Sequence, residues 1–414
     1  MAKYTSPFRE GIAMKIDLSL EKNFLDNAEK QALARGLYDI PIVDADCHYM
    51  GTPMNVIAEY VEEPYRSRLR VHSNGSKHIY VDLGDRTMAG RMKSIPLFVR
   101  SKLPEGEIMP KEIYPLLQSS QKMAIDYNIV FPTDLLTLGV HPDSEIEVAI
   151  AYGFARWMTE EILPQNDAIK TMLYLPFSNP DACVKIVKEF GGKKGVVGFL
   201  VTSLRYQPAH HNSYMPLYKL LEDLGQPLAF HTVSHWMERP FQQLNRFLSA
   251  HALGFPLYNM IQATNLIING IPERFPDLKF IFIEAGVSWI PFLMMRLDTD
   301  YLYRQSDAPF LTKKPSEYMK NFYFTSQPLE YTDNMGMMKE IFNMFDAENQ
   351  LLYASDYPHQ DFDTPASIYD IPFLSETAKR KILGENALKF FNITNPVLHA
   401  KIRREEALAA AARK

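Results

Sequence analysis

Cysteine is nearly absent: the 414-residue chain has two, Cys47 and Cys183. Two thiols in a chain of this length build no disulfide framework, which fits a reducing compartment. An excess of positive charge is also missing. The 44 Lys and Arg residues face 49 Asp and Glu, a net charge of −5, so no basic surface argues for nucleic acid. No run of about eighteen apolar residues occurs, so no membrane span is expected. The opening Met1–Pro7 stretch has no apolar core of the kind a secretory signal carries. The expectation is a cytoplasmic protein that handles a small molecule, with no nucleic-acid or membrane partner.

What is present is a rhythm of short apolar runs and amphipathic segments. Strands are predicted at 40–46, 127–132, 171–176, 195–201, 226–231, 278–284, 321–325 and 350–356, most of them followed by a helical pattern. Helices are expected at 144–163, 180–190, 214–224, within 237–269, and at 289–303, 331–343 and 374–391. Eight strands alternating with helices imply a parallel sheet, and eight closes a (β/α)₈ TIM barrel. An open doubly wound sheet is the competing architecture. Residues 1–38 read as an N-terminal arm and 39–397 as the barrel. Residues 72–122 break the rhythm and read as an insertion that could cover the mouth. Residues 398–414 read as a peripheral C-terminal helix.

Polar residues recur where the apolar runs end. Asp46 and His48 close the first run, two residues apart and so on one side of a strand. His231 closes the fifth, with His235 four residues on. Glu284 closes the sixth, and Asp356 the eighth, with His359 after it. One such residue has a dull explanation; a set at the same end of successive strands does not, because a barrel brings those ends to one mouth. Mixed imidazole and carboxylate donors suit zinc, manganese or iron. Cys47, between two candidate ligands, points the other way and reads as structural.

At this point the chain resembles a known family. Asp44-Ala45-Asp46-Cys47-His48, Phe230-His231, Phe282-Ile283-Glu284-Ala285-Gly286-Val287-Ser288-Trp289-Ile290-Pro291 and Ala354-Ser355-Asp356-Tyr357-Pro358-His359 resemble the amidohydrolase-related family. That branch of the amidohydrolase superfamily includes aminocarboxymuconate-semialdehyde decarboxylase and resorcylate decarboxylase. The likeness runs from about residue 40 to 393. It implies a metal-dependent barrel enzyme. The family's strand-one pair falls on Asp46 and His48, its strand-five histidine on His231 and its strand-eight aspartate on Asp356. The decarboxylases carry a catalytic histidine at the end of strand six, where this chain has Glu284.

The expected site therefore has Asp46, His48, His231 and Asp356 around a divalent ion, zinc first, with manganese or iron as alternatives. Glu284 and Asp356 are the expected acid–base groups, and Glu284 and His235 are candidates for a second ion. The function this implies is a hydrolase or decarboxylase acting on a small carbonyl or carboxylate substrate. Two alternatives stand beside it: a dinuclear iron or iron/manganese oxygenase, and a non-catalytic subunit of a hetero-oligomer with a paralogue. A homo-oligomer is the expected assembly.

Overall fold

A computed structural model describes residues 20–49, 54–73, 113–202, 207–231, 241, 243–359 and 361–412. Eight strands lie side by side in sequence order, every adjacent pair parallel. They are β1 (Val43–Tyr49), β2 (Tyr127–Pro132), β3 (Ile169–Tyr174), β4 (Val196–Val201), β5 (Leu228–Phe230), β6 (Phe280–Phe282), β7 (Tyr323–Thr325) and β8 (Leu351–Leu352). Backbone bonds close the sheet between its first and last strands. Ala45 N donates to Tyr353 O at 2.9 Å, Asp356 N to Asp46 O at 2.8 Å and His48 N to Tyr357 O at 2.7 Å. The closure makes this a (β/α)₈ barrel and not an open sheet, as the alternation of strands and helices predicts.

The strands are buried on both faces, which is why they read as near-continuous apolar runs. One face fills the barrel with Val43, Ile129, Phe131, Met172, Ala229, Ile281 and Leu352. The other carries Val130, Leu173, Phe199, Phe230, Phe280 and Phe324 beneath the helices. The helices begin where local chemistry starts them. In Ser144–Trp157 the Asp143 carboxylate accepts from Glu145 N and Ile146 N. In Pro180–Phe190 the Asn179 side chain accepts from Ala182 N, with proline in the first turn.

Strands five to eight are shorter than expected. Beyond β6 and β8 the chain turns away from the sheet at Glu284 and Asp356, which take left-handed backbone angles, φ 54° and 59°. The helix after β5 runs Phe247–Ile268, within the expected 237–269 stretch, of which residues 237–240 and 242 lie outside the described residues.

The N-terminal helix α1 (Leu20–Ala34) buries Ala28 and Ala32 against this same barrel. Arg35, just after it, pairs with Asp370 at 2.6 Å. Of the expected insertion, residues 74–112 lie outside the described residues. Its last part is a regular crossover helix, α2 (Tyr114–Met123), packed between α1 and the C-terminal helix α3 (His399–Ala412). Helix α3 is anchored under the barrel, where Ala400 N donates to Asp126 Oδ1 at 2.9 Å. Gly384 is needed where a helical turn crosses the start of β1, since a Cβ there would meet Pro41 O at 2.0 Å.

Candidate metal centre

The C-terminal strand ends share one mouth, and the acids and imidazoles collect there. Strand β1 contributes Asp46 and His48. One extra residue stands in β1 between Asp44, opposite Asn128, and Cys47, opposite Val130. This bulge turns the end of the strand so that Asp46 and His48 face inward while Cys47 faces out. The Cys47 thiol is buried and donates to Ile129 O at 3.3 Å, outside the site. His231 follows β5, its N–H held by Val201 O at 3.0 Å. Glu284 and Asp356 follow β6 and β8 on the two left-handed turns. A glutamate in that conformation is uncommon and is held there by its surroundings.

The donor atoms converge. His48 Nε2 lies 3.4 Å from His231 Nε2, 3.2 Å from Asp46 Oδ1 and 3.1 Å from Asp356 Oδ1. His231 Nε2 lies 3.5 Å from Asp46 Oδ1 and 3.6 Å from Glu284 Oε2. One donor atom each from Asp46, His48, His231 and Glu284 falls within 4.8 Å of the others. A second group of the same tightness holds His48, Glu284, Asp356 and His359. Glu284 thus stands with the strand-one and strand-five donors, while Asp356 reaches them through His48. His235 lies outside the described residues.

Apart from the His48–His231 contact, these are close approaches of charged groups and not formed hydrogen bonds. Both Asp46 oxygens are buried and lack a hydrogen-bond partner among the described residues, although His48 is close; the same holds for Asp356 Oδ2. Two ligands at about 2.1 Å from one ion, at a tetrahedral angle, stand roughly 3.4 Å apart. The observed spacings match that, so Asp46, His48, His231 and Glu284 fit a divalent ion.

The electrostatics agree. Burial alone would push Asp46 up, yet the His231 and His48 imidazoles hold it well below the usual carboxylate range. Burial likewise opposes charge on His48, but Asp46 and Asp356 outweigh it and push the imidazole up to about 10. Asp356 is lowered against its burial by His359 first and then by His48. Buried carboxylates that draw a proton onto a neighbouring imidazole have room for a cation to take that proton's place.

Around the donors stand residues that sequence reasoning missed or left unassigned. His359 Nδ1 lies 2.6 Å from Asp356 Oδ1, and its Nε2 lies 3.2 Å from Thr133 Oγ1. Its ring stacks on His48 with centroids 4.3 Å apart. Its place in the strand-eight motif was the available signal. Nothing in the sequence marks Thr133. Phe131 stands against both His48 and His231, an apolar wall. Asp44 is buried to the side, accepting from Ser355 N at 2.8 Å and from Asp46 N at 3.3 Å, which ties β1 to the end of β8.

Residues 43–393 match the model of a family described as amidohydrolase. The chain belongs to this family. It is 22% identical over 253 residues to a gamma-resorcylate decarboxylase of Polaromonas sp., covering 57% of this chain and 74% of that protein. Among solved structures it is similar to a 5-carboxyvanillate decarboxylase of Sphingomonas paucimobilis, with a TM-score of 0.62 and 19% identity, covering 86% of this chain and 100% of that one. A dihydroxybenzoic acid decarboxylase of Polaromonas sp., solved with bound manganese, gives 0.61 at 17% identity, covering 86% and 98%. At these identities the structural likeness speaks for the fold.

Proposed function

We propose that this amidohydrolase-family protein is a metal-dependent decarboxylase acting on a small carboxylate, of the hydroxybenzoate class on which its relatives act. The observation that carries the reading is the gathering of donor atoms from Asp46, His48, His231 and Glu284 within 4.8 Å of one another. These four would hold the ion. Manganese or iron suits a set of two carboxylates and two imidazoles better than zinc does, since oxygen donors favour the harder ions.

A bound ion supplies a Lewis acid for the substrate carboxylate and a neighbouring oxygen. The chain's own residues do the rest. When the bond to the carboxylate breaks, its electron pair stays on the substrate carbon, CO₂ leaves, and that carbon needs a proton. The Asp356–His359 pair lies beside the donor set and is the group placed to give it. Thr133 fixes the far side of the His359 ring, and so fixes which nitrogen faces Asp356. Phe131 closes one side with apolar surface. Glu284, where the related decarboxylases carry histidine, completes the ligand set in this account.

A dinuclear oxygenase is the second reading, supported by the overlapping group of His48, Glu284, Asp356 and His359. Metal content and turnover separate the two. The protein is loaded with Mn²⁺, Zn²⁺ or Fe²⁺ and offered 2,6-dihydroxybenzoate and 5-carboxyvanillate. The proposal expects one ion per chain, CO₂ release without O₂ uptake, and loss of turnover by about 10²–10⁴-fold in Asp356→Asn, the scale for disabling an acid–base pair. Two iron ions per chain with O₂ consumption would replace it with the oxygenase. Hydrolysis of an ester or amide without CO₂ would replace it with a hydrolase.

A further inference from the structure

Beyond Phe282 the chain leaves the sheet, so the backbone that carries Glu284 has no ladder to hold it. Side chains hold it instead. The last ladder bond is Ile283 N to Phe230 O at 3.0 Å. After it, Asn259 Nδ2 donates to Ile283 O at 2.9 Å, and Glu284 N donates to Thr325 Oγ1 at 3.0 Å. The Trp289 indole N–H donates to Gly286 O at 3.0 Å. Glu330, from the loop after β7, then closes the far end. Its carboxylate accepts from Val287 N at 3.0 Å and from Ser288 N at 2.9 Å.

Glu330 does more than cap the helix that starts at Trp289. Its carboxylate occupies the place where residue 286 would carry a side chain, for a Cβ on Gly286 would stand 2.5 Å from Glu330 Oε1. Gly286 has φ 66° and Glu284 φ 54°. Two left-handed residues within three positions form a turn that does not hold its shape unaided, because the conformation is unfavourable for glutamate. The three other clamps grip single backbone groups. Glu330 grips two consecutive N–H groups and bears on Gly286 as well.

We infer that Glu330 is a positioning residue for Glu284, setting the turn that aims the Glu284 carboxylate at the donor set. The inference rests on the reading of Glu284 as a ligand. It predicts that Glu330 acts on the ion only through Glu284, although the Glu330 carboxylate is spent on the backbone of residues 287 and 288.

The test is a double-mutant cycle read by Mn²⁺ titration of the full-length protein, with thermal unfolding as the control for folding. Glu284→Gln should weaken Mn²⁺ binding. Glu330→Ala should weaken it by about 10–100-fold, the range for residues that orient metal ligands. In the double variant, Glu330→Ala should add nothing to the loss already caused by Glu284→Gln. Glu330→Gln, which keeps one acceptor oxygen, should recover part of the affinity and provides the measurement if the alanine variant does not fold. A structural role alone would lower the melting temperature in every background without this dependence on residue 284. Additive losses, or unchanged Mn²⁺ affinity in both Glu330 variants while Glu284→Gln is impaired, would overturn the inference. Unchanged affinity in Glu284→Gln would overturn the ligand reading and the inference with it.

Discussion

Asp46 and Asp126 are both buried aspartates beside β1, one at each end of the barrel, and they are held in opposite ways. At the lower end, Asp126 Oδ2 accepts from Ile42 N at 3.0 Å and Oδ1 accepts from Ala400 N at 2.9 Å. It links the start of β1 to the C-terminal helix. At the mouth, neither Asp46 oxygen has a hydrogen-bond partner among the described residues, and two imidazoles face it. Burial is common to both, so burial does not mark function. What separates them is whether the surrounding chain completes the acid. Asp126 is finished by backbone donors and serves stability. In the proposed reading Asp46 is left for a cation to complete.

The sharpest break of this comparison is at the mouth. His231→Ala should weaken Mn²⁺ binding by more than about 100-fold, beyond the loss typical of an outer partner. It should also lower the melting temperature of the metal-free protein, because it takes from the buried Asp46 carboxylate an imidazole that keeps it charged and leaves a cavity in its place. Calorimetric titration and a thermal scan read the two effects. Asp126→Ala should act on stability alone. It strips two buried N–H groups of their acceptor, at about 1–3 kcal/mol each, so denaturant unfolding should show a loss of about 2–6 kcal/mol with Mn²⁺ affinity intact.

A smaller effect comes with pH. Burial pushes Asp126 up to about 6, against its two backbone hydrogen bonds. The folded protein therefore keeps a proton on Asp126 at pH values where the unfolded chain has released it. Stability from this group is complete below about pH 4 and falls as pH rises through about 6, by up to about 3 kcal/mol. Denaturant titrations from pH 4 to 7 should show this fall in the native protein, and Asp126→Asn should lack it. The smallest effect belongs to a third kind of acid, Asp370, which is exposed and paired with Arg35. Arg35→Ala should cost less than about 1 kcal/mol, measured the same way, and should not move metal binding.

The two ends were not equally legible in the sequence. Asp46, His48, His231, Glu284 and Asp356 could be picked out because each interrupts an apolar run at its end, and a barrel gathers such ends. The strand–helix alternation was legible for the same reason, as burial on both faces makes strands continuous apolar runs. The bulge that turns Asp46 inward was not, since an extra residue in a strand is defined only against its neighbour. Nor were the left-handed turns at Glu284 and Asp356, which rest on tertiary contacts: Thr325 lies 41 residues from Glu284. His359 was visible in its motif, but its role depends on Thr133, 226 residues away. Asp126 gave no signal, because its partners are backbone groups that any residue could supply.

The central claim is that the mouth, and not the lower end, is built around a cation. Anomalous diffraction from a crystal soaked in Mn²⁺ tests it most directly. A peak is expected within bonding distance of His48 Nε2, His231 Nε2 and carboxylate oxygens of Asp46 and Glu284, with none beside Asp126. A saturating soak that leaves this point without a peak, while manganese appears elsewhere or nowhere, would contradict it.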